Sequence, residues 1–213
     1  MIMVVRLACR HLRRTFLYAP RGRSKTANFS SPAASADAAV LPVYTHPDYT
    51  LELPATHTFP MARYAGVEAS VRRCAETSPI SVRNADTPAT LAQVCLAHDE
   101  EYMRAFVRRG GLTDRQVRTL GFPWSFELVR RTFRITGATI SCVDDVLAGG
   151  CRAAGNLAGG THHAFRGHAE GYCIVNDIGV SAKVAQQDYQ VGQCLVVDLD
   201  VHQGNGTAEI FDK

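Results

Sequence analysis

The chain of 213 residues has no apolar run approaching the ~20 residues that a membrane-spanning helix needs, so no such span is expected. Cysteine is present in seven places, an odd number, and no two stand in CxxC spacing. A disulfide framework or a thiolate zinc site is therefore not expected, and most of the cysteines read as small hydrophobes in a reducing compartment. A basic body is lacking too. Residues 1–40 hold seven basic residues against one acid, Asp37, a net of +6, which leaves 16 basic and 19 acidic groups, or −3, for residues 41–213. A mildly acidic body offers nothing for a phosphate backbone, so direct nucleic-acid binding is not expected. There is no internal repeat. What is present is a composition able to build one core, 46% hydrophobic and 20% charged.

The basic excess of residues 1–40 has its own pattern. On a helical wheel Val5, Ala8, Leu12 and Phe16 share a face, with Arg6, Arg10, Arg13 and Arg14 opposite, and a Ser/Ala-rich stretch runs from Ser24 to Ala39. Amphipathic, Arg-rich, Ser-rich and poor in acid describes an organellar transit peptide, for a mitochondrion or chloroplast. A secretory signal fits worse, because Arg interrupts every candidate apolar core. The alternatives are a disordered basic tail or a misread start codon, with a nuclear or cytosolic protein behind it.

The body, residues 41–213, opens with a strand in LPVYTHPDY. A helix is expected over FPMARYAGVEASVRRC, with Tyr64, Val67, Val71 and Cys74 on one face. A second is expected from a Thr87 cap and Pro88 to Gly110, a third from Ser125 to about Ala148, and a fourth from Asn176 to Gln187. The run CLVVDLD, Cys194–Asp200, reads as a buried parallel strand. Helices alternating with such strands make the class α/β with a mostly parallel sheet.

Ligands of open α/β sheets bind beyond the carboxyl ends of the strands. Asp198, Asp200 and His202 alternate at period two at such an end, so an extended backbone sends them to one side. A single Asp there is ordinarily a cap or turn residue. Three polar groups in register suggest a divalent cation, because burying unpaired carboxylates costs several kcal/mol each. Carboxylate and imidazole are standard zinc ligands. A second cluster is the pair His162 and His163, set in a loop behind Gly159 and Gly160. Adjacent residues on a strand would face opposite ways, so only a loop lets both address one site. The pair could ligate a metal, move protons or be inert.

Together GGTHHA (residues 159–164), GYCIVNDI (171–178) and VVDLDVHQGNGTAEIF (196–211) resemble the central motifs of the zinc-dependent histone deacetylase family, and most closely its bacterial-type and class IV members. HPDY, HTFPMARY and AHDEEYM match its earlier segments more loosely. The resemblance implies an arginase/deacetylase-like fold and hydrolysis of the amide of acetyl-lysine in proteins or of a small acetylated amine such as an acetylpolyamine. It makes Asp200 and His202 two of three ligands for zinc or another divalent metal, His162 and His163 the catalytic proton-handling pair, and Asp198 the acceptor that fixes the His162 tautomer. Backbone of the 198–202 segment would bind a structural monovalent cation. Gly171 and Tyr172 would line the tunnel for the acyl-lysine stem. Asn205 stands where many members place an Asp behind the second His.

The family's third zinc ligand, an Asp, and the Tyr that polarises the amide carbonyl lie downstream of these motifs, and no residue here matches either. The sequence therefore reads as carboxy-terminally incomplete, a fragment such as an unfinished gene model or a truncated isoform, and the 213-residue chain itself is expected to be inactive. The competing reading is a catalytically dead partial domain that acts, if at all, by binding a partner.

Overall fold

Parallel strand pairing organises the body in the computed structural model, which describes residues 6–7, 40–148 and 150–212. Strand β2 (Leu41–Thr45) is central, with β3 (Ile80–Asn84) on one side, in register from Leu41↔Ile80 to Thr45↔Asn84. On its other side lies β4 (Gly155–Asn156), paired at Val43↔Gly155 and Tyr44↔Asn156. Parallel neighbours need long crossovers, and helices fill them here: α1 (Arg63–Ala75) between β2 and β3, then α2 (Leu91–Val94), α3 (Glu100–Val107), α4 (Asp114–Leu120) and α5 (Phe126–Leu147) between β3 and β4. The class is α/β with a mostly parallel sheet flanked by helices, as expected.

The long helix α5 starts where Ser125 Oγ accepts the Leu128 N–H at 3.1 Å. Its buried residues Leu128, Thr132, Ile135, Thr139 and Val143 recur at helical spacing, and the helix packs between the sheet and α6 (Asp177–Tyr189). Tyr102, Met103 and Phe106 of α3, Val180 and Val184 of α6 and Ile210 of α7 (Asn205–Phe211) complete the main core. A short 3-10 turn, Pro47–Tyr49, buries Tyr49, whose hydroxyl donates to Asn156 Oδ1 at 2.8 Å.

Several expectations change. The helix expected from Thr87 to Gly110 is two, because Thr90 and Gln93 form a capping box that starts α2 three residues later, and Asp99 starts α3. The expected apolar face of α1 is only partly covered: Tyr64 and Val71 are half-buried, while Val67 and Cys74 lie exposed. Of the described cysteines, all free, only Cys173 is buried outright. Burial pushes the thiols of Cys142 and Cys173 up to about 12.

The largest departure is the run 194–200. Strand β5 is only Cys194–Leu195, and it pairs antiparallel with β1 (Arg6–Leu7) rather than joining the parallel sheet. Beyond it Val196–Asp200 has no ladder partner among the described residues, so Leu195 (64%), Val197 (47%), Leu199 (81%) and Val201 (93%) are exposed. A strand exists only where a neighbour takes its N–H and C=O groups, whatever its β-propensity. At Arg6–Leu7 the backbone is a strand instead of the expected helical turn; the rest of the residue 1–39 leader lies outside the described residues.

Candidate active site

The loop carrying the His pair is held from below by α6. Gly159 (φ 102°) and Gly160 (φ 69°) take left-handed backbone and let the chain turn over the α6 N-terminus. Asp177, in the first turn of α6 and 2% exposed, accepts from the Gly160 and Thr161 N–H groups at 3.3 and 2.9 Å, from Thr161 Oγ1 at 2.6 Å and from Thr139 Oγ1 at 2.7 Å. Asn176 caps the same helix through Gly179 N and donates its amide to Ala164 O and Thr207 Oγ1. Its own N–H donates to His98 Nε2 at 2.9 Å, while His98 Nδ1 donates to Phe165 O at 2.9 Å. Burial holds His98 down at about 4, so it is neutral and can accept and donate at once. Neither His98 nor Asp177 was marked for the site by sequence, although both fall inside matched segments; an Asn-Asp pair ahead of an apolar helix is a capping signal that could have singled out Asp177, and none singles out His98.

On this base His162 and His163 stand with ring centroids 4.2 Å apart. His162 Nδ1 lies 2.5 Å from Asp198 Oδ2. His163 Nδ1 lies 2.7 Å from Asn205 Oδ1. Both partners are acceptor oxygens, so each Nδ1 carries its hydrogen, which leaves Nε2 as the lone-pair nitrogen of the neutral tautomer. Burial alone would raise the Asp198 carboxyl, but the bonds from His162 and the Asp200 N–H outweigh it and hold the group below the usual carboxylate range. Behind His163 a further group appears that sequence did not suggest: Asn205 Nδ2 donates to Glu170 Oε1 at 3.2 Å, so a carboxylate stands one amide away from the imidazole. Spacing along the chain gives no sign of this pairing, because 35 residues separate the two.

Glu170–Cys173 forms a two-residue turn closed by N–H···O bonds of 3.0 and 2.8 Å in both directions. Both central residues have positive φ, Gly171 at 56° and Tyr172 at 68°, the pattern of a type I′ turn. A Cβ on Gly171 would come within 3.2 Å of His163 Cδ2. Tyr172 is held in this uncommon conformation by its N–H bond to Leu120 O and by packing of its ring against Phe59 and Phe122, centroids 4.9 and 5.0 Å away.

Asp200 and His202 line one cleft, while Asp198 does not line it and is bonded to His162; the three form a staircase of turns and not a strand. The Asp200 N–H donates to Asp198 Oδ1 at 2.9 Å, and the His202 N–H and Nδ1 donate to Asp200 Oδ1 at 2.8 and 3.0 Å. Those bonds, the backbone one first, hold the Asp200 carboxyl low. The cleft, about 680 Å³, is lined by His162, His163, Asp200 and His202 together with Phe59, Tyr64 and Tyr172. A carboxylate and an imidazole in mutual contact are a donor pair suited to zinc. Among the described residues no group of three His, Cys, Asp or Glu is placed to hold a metal.

Comparison with known proteins shows the family. A family model described as the histone deacetylase domain matches residues 57–213. An uncharacterised protein of Picosynechococcus sp. is 39% identical over 170 residues, 80% of this chain and 55% of that protein. The acetoin utilization protein AcuC of Bacillus subtilis is 40% identical over 77 residues, 36% of this chain and 20% of its own length. The polyamine deacetylase HDAC10 of Danio rerio is 28% identical over 131 residues, covering 59% and 19%. The crystal structure of the HDA15 HD domain superposes with a TM-score of 0.63 at 24% identity, covering 82% of this chain and 50% of that one, which speaks to fold. The chain thus spans about half the length of the first of these relatives. With the domain model matching most of its residues, this chain belongs to the histone deacetylase family.

Proposed function

We propose that the cleft hydrolyses the amide of an acetylated amine, with acetyl-lysine in a protein as substrate and a small acetylated amine as the alternative. The observation that carries this is the His pair: two imidazoles in contact, each with Nδ1 tied to an acceptor, on the same cleft as Asp200 and His202. Asp200 and His202 would supply two ligands to zinc or a similar divalent ion. Such an ion contributes Lewis-acid polarisation of the amide carbonyl. The His163 ring centroid lies 5.8 Å from that of His202. The Nε2 of His163 takes a proton from the attacking water and returns it to the departing amine. His162, held by Asp198, keeps a second accepting Nε2 beside it. Gly171 and Tyr172 form the wall along which the amine's alkyl stem lies.

A second reading is favoured by the two-ligand donor set among the described residues: a domain that binds the acylated group without turning it over. Acetate release from an acetyl-lysine peptide by the zinc-supplied 213-residue chain separates the two. Chelator-sensitive release that falls by about 10²–10⁴ in His163→Ala, with metal content unchanged, supports catalysis. Peptide binding without release supports the second reading, and neither binding nor release overturns both. For localisation, the Arg-rich, acid-poor composition of residues 1–40 supports an organellar leader, to be tested by fusing it to a reporter.

A further inference from the structure

Asn205 is the one partner of His163 Nδ1 among the described residues, and its effect depends on which end of the amide meets the ring. With Oδ1 toward Nδ1 the amide accepts, and the neutral imidazole keeps its hydrogen on Nδ1. With Nδ2 toward Nδ1 the amide would donate, and the hydrogen would have to move to Nε2. Two neighbours bear on the choice. The Gly206 N–H donates to Asn205 Oδ1 at 3.0 Å, alongside His163 Nδ1 at 2.7 Å. At the other end Nδ2 donates to Glu170 Oε1 at 3.2 Å. A turned amide would set Oδ1 against the Glu170 carboxylate and Nδ2 against the Gly206 N–H, two mismatches at once. Glu170 has no competing task. It is half-buried, and among the described residues its carboxylate forms no ion pair and bonds no side chain but Asn205. Backbone fixes its place, through the bonds of 3.0 and 2.8 Å between Glu170 and Cys173 that close the turn. That one turn thus carries a wall residue of the cleft, Tyr172, and the carboxylate that stands behind His163.

We propose that Glu170 is a positioning residue: its carboxylate holds the Asn205 amide with Oδ1 toward His163, and so keeps the His163 hydrogen on Nδ1 and the lone pair on Nε2. This rests on the reading of His163 as the group that takes a proton from water, which needs that lone pair. A carboxylate at position 205 would need no such help, because either of its oxygens accepts. An amide has one end of each kind, and Glu170 supplies the preference that the amide lacks. Neither Glu170 nor Asn205 lines the cleft, so the effect reaches the ligand only through the imidazole.

The test reads the tautomer of His163 directly, by heteronuclear NMR of the imidazole nitrogens in the zinc-supplied 213-residue chain. Spectra are taken at a pH of about 8.5, where an ordinary imidazole is neutral, and the signal is assigned by its loss in His163→Gln. Wild type should carry the hydrogen on Nδ1. Glu170→Ala removes the acceptor and Glu170→Asp draws it back by one methylene; each should raise the Nε2–H share about fivefold, the worth of one hydrogen bond. Glu170→Gln, whose amide oxygen can still accept, should keep the wild-type share, which a merely electrostatic or packing role of Glu170 would not require. Thermal melts check folding, and the turn's own bonds are backbone bonds that none of these changes removes. An unchanged share in folded Glu170→Ala, or in Glu170→Asp should the first not fold, would show that the Gly206 N–H orients the amide alone and overturns the proposal. A wild-type imidazole with its hydrogen on Nε2 overturns it as well. Absence of acetate release by wild type counts against the hydrolytic reading and leaves the tautomer measurement unaffected, so the two failures are told apart.

Discussion

Gly171 and Tyr172 hold successive left-handed backbone conformations beside the His163 imidazole, and the two differ in what they tolerate. Tyr172 keeps φ 68° because its ring and its N–H are both anchored. Gly171 has φ 56° and also His163 Cδ2 in the space where a Cβ would sit. Gly171→Ala therefore adds a left-handed penalty of about 1–2 kcal/mol and presses on His163. The expected result is a lowered denaturant midpoint together with displaced His163 imidazole resonances. An unshifted midpoint would mean that the turn is not stiff. The sequence made part of this site legible at residue scale. Asp198, Asp200, His202 and the His pair stand out because polar groups at period two, or doubled behind glycines, have few structural uses. Glu170 and His98 did not stand out as site groups. Each is tied to a partner distant in the chain, and single residues of those types are common.

Elements were legible where a local signal was unopposed. Ser125 ahead of a long amphipathic run gave the start of α5, whereas the short α4, closed by Gly121 with φ 91° as a left-handed cap, was not expected. Between Thr87 and Gly110 two capping signals competed, and Thr90–Gln93 prevailed because its box closes in both directions. Strand β3, ISVRN, has too few apolar residues to show a period, being half-buried along its length. His98 shows how elements are tied without such signals: placed just before α3, it joins Phe165 to the Asn176 cap of α6. It is 2% exposed and is held at about 4 against an ordinary 6.5. The unfolded chain takes up this proton near 6.5 and the folded one only near 4, so the folded state loses stability as pH falls between those values. The stabilisation present above the upper value is on the order of 3 kcal/mol for a shift of this size. Urea midpoints measured across that range should fall steeply in wild type and less steeply in His98→Gln. Equal slopes would show that His98 takes no part in the acid response.

At the scale of the whole molecule, the feature that most affects behaviour is the uncovered ridge of Leu195, Val197, Leu199 and Val201. Its overestimate as a buried strand has the same origin as its exposure. Propensity and hydrophobicity are properties of the segment, whereas burial requires a neighbour, and among the described residues only the two-residue β1 ladder touches its first part. The segment is rich in β-branched and apolar residues, free of Pro and without a ladder over Val196–Asp200, a combination that favours association with another edge. The 213-residue chain should therefore self-associate as its concentration rises, with light scattering as the readout. Leu199→Lys with Val201→Lys should suppress this, because charges on an unpaired edge oppose edge-to-edge addition. The same pair should leave the thermal midpoint nearly unchanged, since both side chains are more than four-fifths exposed and have little packing to lose. Loss of folding in the double variant would mean that the ridge is covered in solution. Self-association that survives the two lysines would place the sticky surface elsewhere, with the half-covered face of α1 at Val67 the next to change.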